Sequence, residues 1–194
     1  MSQFKKYFKI IQESEESPLK PVIFNGEFYT LTTKEKVEVK DYDLENNEQK
    51  PNGLWFTKGD EWIQFLIDNS VIDEKGITTP HKSIFPDYKI KNIAKIKVRN
   101  AKIIVIDEEK ELDFFIEKYG IKNDYNSLRD IFRFNWQIFS KDYEIDGVYI
   151  NSYKLPRSYH LNSIWDVPSG CIWNLSGKIK EEAIIPIENY KQFF

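Results

Sequence analysis

Cysteine and methionine each occur once among the 194 residues of this chain, and histidine twice. The single cysteine, Cys171, excludes a disulfide within the chain and argues against a cysteine-based zinc site. His81 and His160 stand far apart without metal-ligand spacing, so no metal is expected. No apolar run approaches the roughly 20 residues of a membrane-spanning helix. The opening stretch MSQFKKYFKIIQES has no apolar core of a secretion signal. A cytoplasmic protein is therefore expected, with the Asn174-Leu175-Ser176 sequon unused. A Gly-rich phosphate loop is missing as well. Neither sign of charge dominates: 28 basic side chains face 31 acidic ones, a net of −3. Lysines lie among acids, as in EEKELDFFIEK. That argues against a broad phosphate-binding face and leaves room for a local basic groove.

Aromatic rings are abundant, at 15% of residues. They supply large buried areas for a core and flat surfaces for a ligand. The stretch WDVPSGCIWN, residues 165–174, gathers Cys171 and two tryptophans behind Asp166. It reads as a buried strand entered through a Pro-Ser-Gly turn, or as an active-site wall with Asp166 at its mouth.

Phe4, Tyr7, Phe8 and Ile11 recur at helical spacing after Ser2, so residues 1–20 are expected to hold a helix or arm. PVIFNGEFYTLT suggests a hairpin around Asn25-Gly26. VEVKDY suggests a short strand, and GLWFT another. Asp60 is expected to cap a helix with Trp62, Phe65, Leu66 and Asn69 on one face. IAKIKV and KIIVID form two strand candidates around Arg99-Asn100. Asp107 is placed as the cap of a helix that stops at Gly120. Ser127 is placed as the cap of another, LRDIFRFNWQIFSKD. IDGVYI, CIWNL and EEAIIPI complete the strands, the first entered through a tight Asp146-Gly147 turn. One mixed α and β domain is expected over residues 1–194.

The order of these pieces is more informative than any one of them. FYTLT is followed by Gly-aromatic-Phe-Thr and Trp-x-x-Phe. A strand pair ending in IIVID, an Asp-Gly-Val strand and an acid just before a last strand come next. Over residues 22–187 this succession resembles the ADP-ribosyltransferase-like fold, including its small phage-encoded and toxin-type members. The resemblance implies an α+β fold of two small, mainly antiparallel sheets forming a cleft for NAD, with peripheral helices. It implies that Tyr29 and Thr30 hold the adenosine side of NAD, although that family usually has His or Arg at the first position. It places Thr57 near the nicotinamide, Trp55 or Phe56 against its ring, and Trp62 on the helix behind the cleft. Asp166 stands where the family normally has a catalytic Glu, with Glu27 and Asp146 as fallback acids. The implied activity is cleavage of the nicotinamide–ribose bond of NAD. Transfer of ADP-ribose to a protein or nucleic-acid acceptor, or hydrolysis, would follow.

Two other readings stand beside it. One is an inactive binding or inhibitory protein that uses exposed aromatics as interface anchors. The other is a nucleic-acid-binding module that uses aromatics interleaved with Lys91, Lys95, Lys97 and Arg99. A cysteine nucleophile at Cys171 would need His160 as its partner.

Overall fold

A computed structural model describes residues 17–77, 90–121, 133–155 and 165–194. The expected helix after Ser2, both histidines and Ser127 with Leu128, Ile131 and Phe132 lie outside the described residues.

Two long strands organise the chain. Strand β1 (Pro21–Thr32) runs antiparallel to a later strand of 15 residues, Asn92–Ile106. The anticipated hairpin at Asn25-Gly26 is a bulge inside β1, where the register shifts between Phe24 and Gly26. Opposite it, Arg99 and Asn100 interrupt the longer strand, and Asn100 takes a left-handed φ of 53°. The Asn100 N–H donates to Asn25 Oδ1 at 2.8 Å. Both strands therefore bend at one place, and the two strands expected around Arg99-Asn100 are a single bent one. An Asn-Gly pair serves a bulge as readily as a turn, because both need unusual backbone angles.

Between these strands lie β2 (Asn46–Glu48), β3 (Leu54–Phe56) and helix α1 (Glu61–Asp68). The 15-residue strand is β4. It leads into α2 (Glu109–Tyr119), β5 (Gly120–Ile121), β6 (Arg133–Asn135) and α3 (Trp136–Tyr143). Strands β7 (Gly147–Ile150), β8 (Ser169–Ile172) and β9 (Ile179–Pro186) follow, then a 3-10 turn over Ile187–Gln192.

Strand β4 serves two neighbours along its second edge. Residues 92–98 pair with β9 antiparallel, and residues 103–106 pair with β7 in parallel. The main sheet runs β1-β4-β7-β8-β3. A single bridge from Tyr29 to Thr57 returns it to β1, so the sheet nearly closes. A second sheet of three short strands runs β2-β6-β5. The fold is mixed α+β and mostly sheet. The two sheets differ from the two small ones expected: the main sheet has six strands, rolls back on itself and contains one parallel pairing.

Three apolar clusters hold these parts. Phe28, Phe56, Ile96, Val98, Ile103, Tyr149 and Ile172 fill the barrel. Phe115, Tyr119, Phe134, Trp136 and Phe139 join α2 and α3 to the outer face of β4 and β7 through Ile104, Ile106, Val148 and Ile150. Ile63 and Leu66 of α1 pack with Ile93, Ile187 and Tyr190.

Local details correct several expectations. The buried face of α1 is Ile63 and Leu66, with Trp62 only half-buried. Asp60 precedes α1 without capping it and accepts from Gln64 instead. Glu108, not Asp107, caps α2, in a reciprocal box with Glu111. Asp107 pairs with Lys154. VEVKDY is a strap without strand pairing. Val37 N–H donates to Glu181 Oε2 at 2.6 Å, Asp41 accepts from the Leu175 and Ser176 N–H groups at 2.7 and 2.9 Å, and Tyr42 N–H donates to Trp173 O at 2.8 Å. The Glu181 carboxylate and the Trp173 carbonyl thus satisfy strap N–H groups that a ladder would have satisfied, and Asp41 ties the strap to residues 175 and 176 in return.

Candidate functional site

The barrel is open along one seam. Tyr29 N–H donates to Thr57 O at 3.0 Å, and Thr57 N–H to Tyr29 O at 2.9 Å. Continued pairing would set Leu31 opposite Trp55 and Thr33 opposite Gly53. The pairing stops instead, because each strand is held elsewhere. β1 stays on β4 as far as Thr32, opposite Asn92. β3 stays on β8, and Gly53 lies so close that a Cβ there would meet Cys171 Sγ and Ile172 O at 2.6 Å. Sheet twist then splays the two edges.

Between the edges lies a cleft of about 230 Å³, lined by residues 30–34, Val37, Glu38, Tyr42 and residues 53–55. Strand alternation turns the main-chain groups of Leu31 and Trp55 toward it, as it turns those of Tyr29 and Thr57 toward each other. At its rim Glu38 pairs with Lys34 and with Lys40, the latter at 2.8 Å. These two ammonium groups hold its carboxyl down at about 2.

Two of the residues anticipated from sequence, Thr30 and Trp55, meet in this cleft. Trp55 is half-buried. Its ring centroid lies 4.7 Å from that of Trp165, and the Lys50 ammonium sits 5.4 Å above its ring. Asp166 follows Trp165 directly. It is an exposed residue, yet the atoms packed around its carboxyl push its pKa up, while Lys50 draws it down. Partial enclosure also pushes the Lys50 ammonium down, against the opposing pull of Asp166. Lys50 is an exposed residue too, so Trp55 stands between the cleft and two opposite charges whose mutual pull water partly screens.

The other anticipated residues lie elsewhere. Phe56 is 0% exposed inside the barrel, between Phe28 at 4.9 Å and Tyr149 at 6.2 Å between ring centroids. Neither of its faces is open to a ligand. Thr57 is 1% exposed, and its hydroxyl donates to Gly59 O at 3.0 Å. Tyr29 points away from the cleft, toward α1. Phe193 and Phe194 cover it at centroid distances of 5.6 and 4.6 Å. Trp62 lies on α1, outside the cleft lining.

Glu27 pairs with Lys95 at 2.7 Å, which holds its carboxyl low. The same pair neutralises one lysine of the basic stripe on β4. Asp146 is a fastener. Its carboxylate accepts from Lys102 N–H at 2.8 Å and Asn174 Nδ2 at 3.3 Å, and it pairs with Lys178 at 3.1 Å. In WDVPSGCIWN, Trp165, Cys171 and Trp173 are buried. Trp165 Nε1 donates to Ser169 O at 2.9 Å. Burial pushes the Cys171 thiol well above its ordinary value, which leaves it inert. The stretch is buried at all but Asp166 and Asn174, and its strand covers Ser169–Ile172.

Lys50, Tyr42 and Glu38 were not anticipated. They sit in a charged, turn-rich stretch whose composition reads as surface, and only the strap bonds bring that stretch to the seam. Among the described residues, no group of three or more His, Cys, Asp or Glu side chains is placed to hold a metal ion, and no helix is long and apolar enough to cross a membrane. Comparison of the chain with protein-family models, with curated proteins and with solved structures finds no match.

Proposed function

We propose that the open seam is an NAD site and that the protein is an ADP-ribosyltransferase-like enzyme. One observation carries this reading: Thr30 and Trp55 line one cleft, and Trp55 packs on Trp165, the residue before Asp166. A cleft of about 230 Å³ is smaller than the roughly 300–1,000 Å³ of pockets that enclose a drug-sized ligand. It would therefore take one end of NAD, the nicotinamide with its ribose, and leave the rest along the surface; Thr30 then serves the nicotinamide end and not the adenosine side expected of it. The main-chain edges at Leu31 and Trp55 offer donors and acceptors suited to a carboxamide, and Trp55 offers a ring face.

The chemistry then needs one carboxylate. The bond from the nicotinamide nitrogen to ribose C1′ breaks, and its electron pair leaves with nicotinamide. Positive charge builds on the ribose, and ionised Asp166 stabilises it. An acceptor nucleophile on a protein or nucleic acid, or water, attacks C1′ and loses a proton. Lys50 would favour the ionised form of Asp166 against the enclosure that opposes it.

A second reading, a binding protein without catalysis, is favoured by the burial of Phe56 and Thr57 in the core. Thermal shift and nicotinamide release with NAD, on wild type and Asp166→Asn, separate the two. Stabilisation with Asp166-dependent release supports the enzyme. Stabilisation without release supports the binder. No response to NAD removes the NAD site altogether.

A further inference from the structure

The turn between β3 and α1 carries a lysine that the seam does not use. Lys58 is exposed, and its ammonium lies over two ring faces, 5.0 Å from the centroid of Tyr149 and 6.0 Å from that of Phe24. Those two rings are 6.0 Å apart and inclined by 32°, so the charge sits above the gap between them. With Lys58 in place Tyr149 is 3% exposed and Phe24 half-buried, and the rings behind them are closely packed. Phe28 stacks on Phe24 at 4.8 Å, and Phe56 lies 6.2 Å from Tyr149. The turn itself is pinned: Thr57 Oγ1 donates to Gly59 O at 3.0 Å, and Gly59 N–H donates to Glu61 at 2.7 Å.

Charge around this mouth suits a cation. Burial, and after it the negative charge of Glu61, pushes the Tyr149 hydroxyl up to about 12. Burial likewise raises the hydroxyl of Tyr153 on the exposed side, with Glu61, Asp68 and Asp60 adding to the shift. Ring faces are negative and attract cations. A lysine ammonium is compact and strongly hydrated, so it gives up much of that attraction to keep its water. A quaternary ammonium has no N–H groups to hydrate and fits such a surface better.

We infer that the barrel mouth formed by Phe24 and Tyr149 is a binding site for a small quaternary ammonium group, and that Lys58 is its resident occupant. This site is separate from the seam cleft and does not depend on the NAD reading.

The test is an NMR titration of the Phe24 and Tyr149 ring resonances with tetramethylammonium. It uses wild type and Lys58→Ala, with tert-butanol as the neutral control of similar size. The expected result is saturable movement of both rings with the cation and none with the alcohol. Binding to Lys58→Ala should be about two- to fivefold tighter, the size of one exposed cation–π contact. Lys58 is exposed, so the variant should fold, and near-UV circular dichroism confirms that it has. Three results would overturn the proposal: no saturable movement in folded Lys58→Ala, an equal response to tert-butanol, or no gain in affinity on removing Lys58.

Discussion

Gly170→Ala should destabilise the protein through one identifiable collision, with the ring of Phe56. Gly170 and Phe56 are cross-strand partners on β8 and β3. A Cβ on Gly170 would lie 2.3 Å from Phe56 Cζ, 2.8 Å from Cε1 and 2.9 Å from Cε2. The ring cannot easily yield, because Phe28, Phe24 and Tyr149 surround it at centroid distances of 4.9, 5.7 and 6.2 Å. Overpacking of this kind costs about 1–3 kcal/mol. For a chain of this size, each kcal/mol lowers Tm by roughly 2–4 °C. In a Phe56→Ala background, itself costing about 3–5 kcal/mol, the collision is gone. There, alanine at 170 should be neutral, or stabilising by about 0.5–1 kcal/mol, because alanine loses less backbone freedom than glycine. Urea denaturation of the four proteins gives the cycle. An equal cost of Gly170→Ala in both backgrounds would refute the reasoning. A silent Gly170→Ala in wild type would also refute it, since Phe56 would then have room to turn toward a ligand, as its sequence context first suggested.

Other consequences can be checked by the same means. The Asp166 carboxyl is raised in the folded chain, chiefly by burial, so the folded state holds that proton more tightly than the unfolded chain. This group's effect on stability is therefore neutral below the unfolded aspartate pKa of about 3.9 and increasingly unfavourable as pH rises through the folded value. Asp166→Asn should match wild type at the acid end and exceed it at neutral pH in urea midpoints taken across pH. A variant less stable than wild type at neutral pH would contradict this. Asp146→Ala strips partners from Lys102 N–H, Asn174 and Lys178, and should cost about 1–3 kcal/mol by the same denaturation assay. Cys171 is 0% exposed, so a thiol reagent should label it only at the rate of unfolding. Rapid labelling of native protein would contradict the packing of β8 against β3.

Much of the secondary structure was legible in the chain, because local apolar runs specify it. GLWFT, IDGVYI and EEAIIPI are strands wholly or in part, and the helix before Gly120 ends there. The failures share a cause. Asn25-Gly26 permits a turn or a bulge equally, and only pairing with Arg99-Asn100 across β4 selects the bulge. In GLWFT every candidate face is apolar, so alternation alone cannot say whether Trp55 or Phe56 points inward. The barrel decides it, burying Phe56 and leaving Trp55 half-open at the seam.

The sequence by itself determined a mixed α and β chain with an aromatic core, no disulfide and a strand after Asp166. Those properties depend on composition and on neighbours a few residues apart. The tertiary structure alone decided where the barrel fails to close. That seam exists because β4 holds one edge and β8 the other. Neither constraint lies near Leu31 or Trp55 in the chain, and the pairings responsible join residues 60 to 120 positions apart.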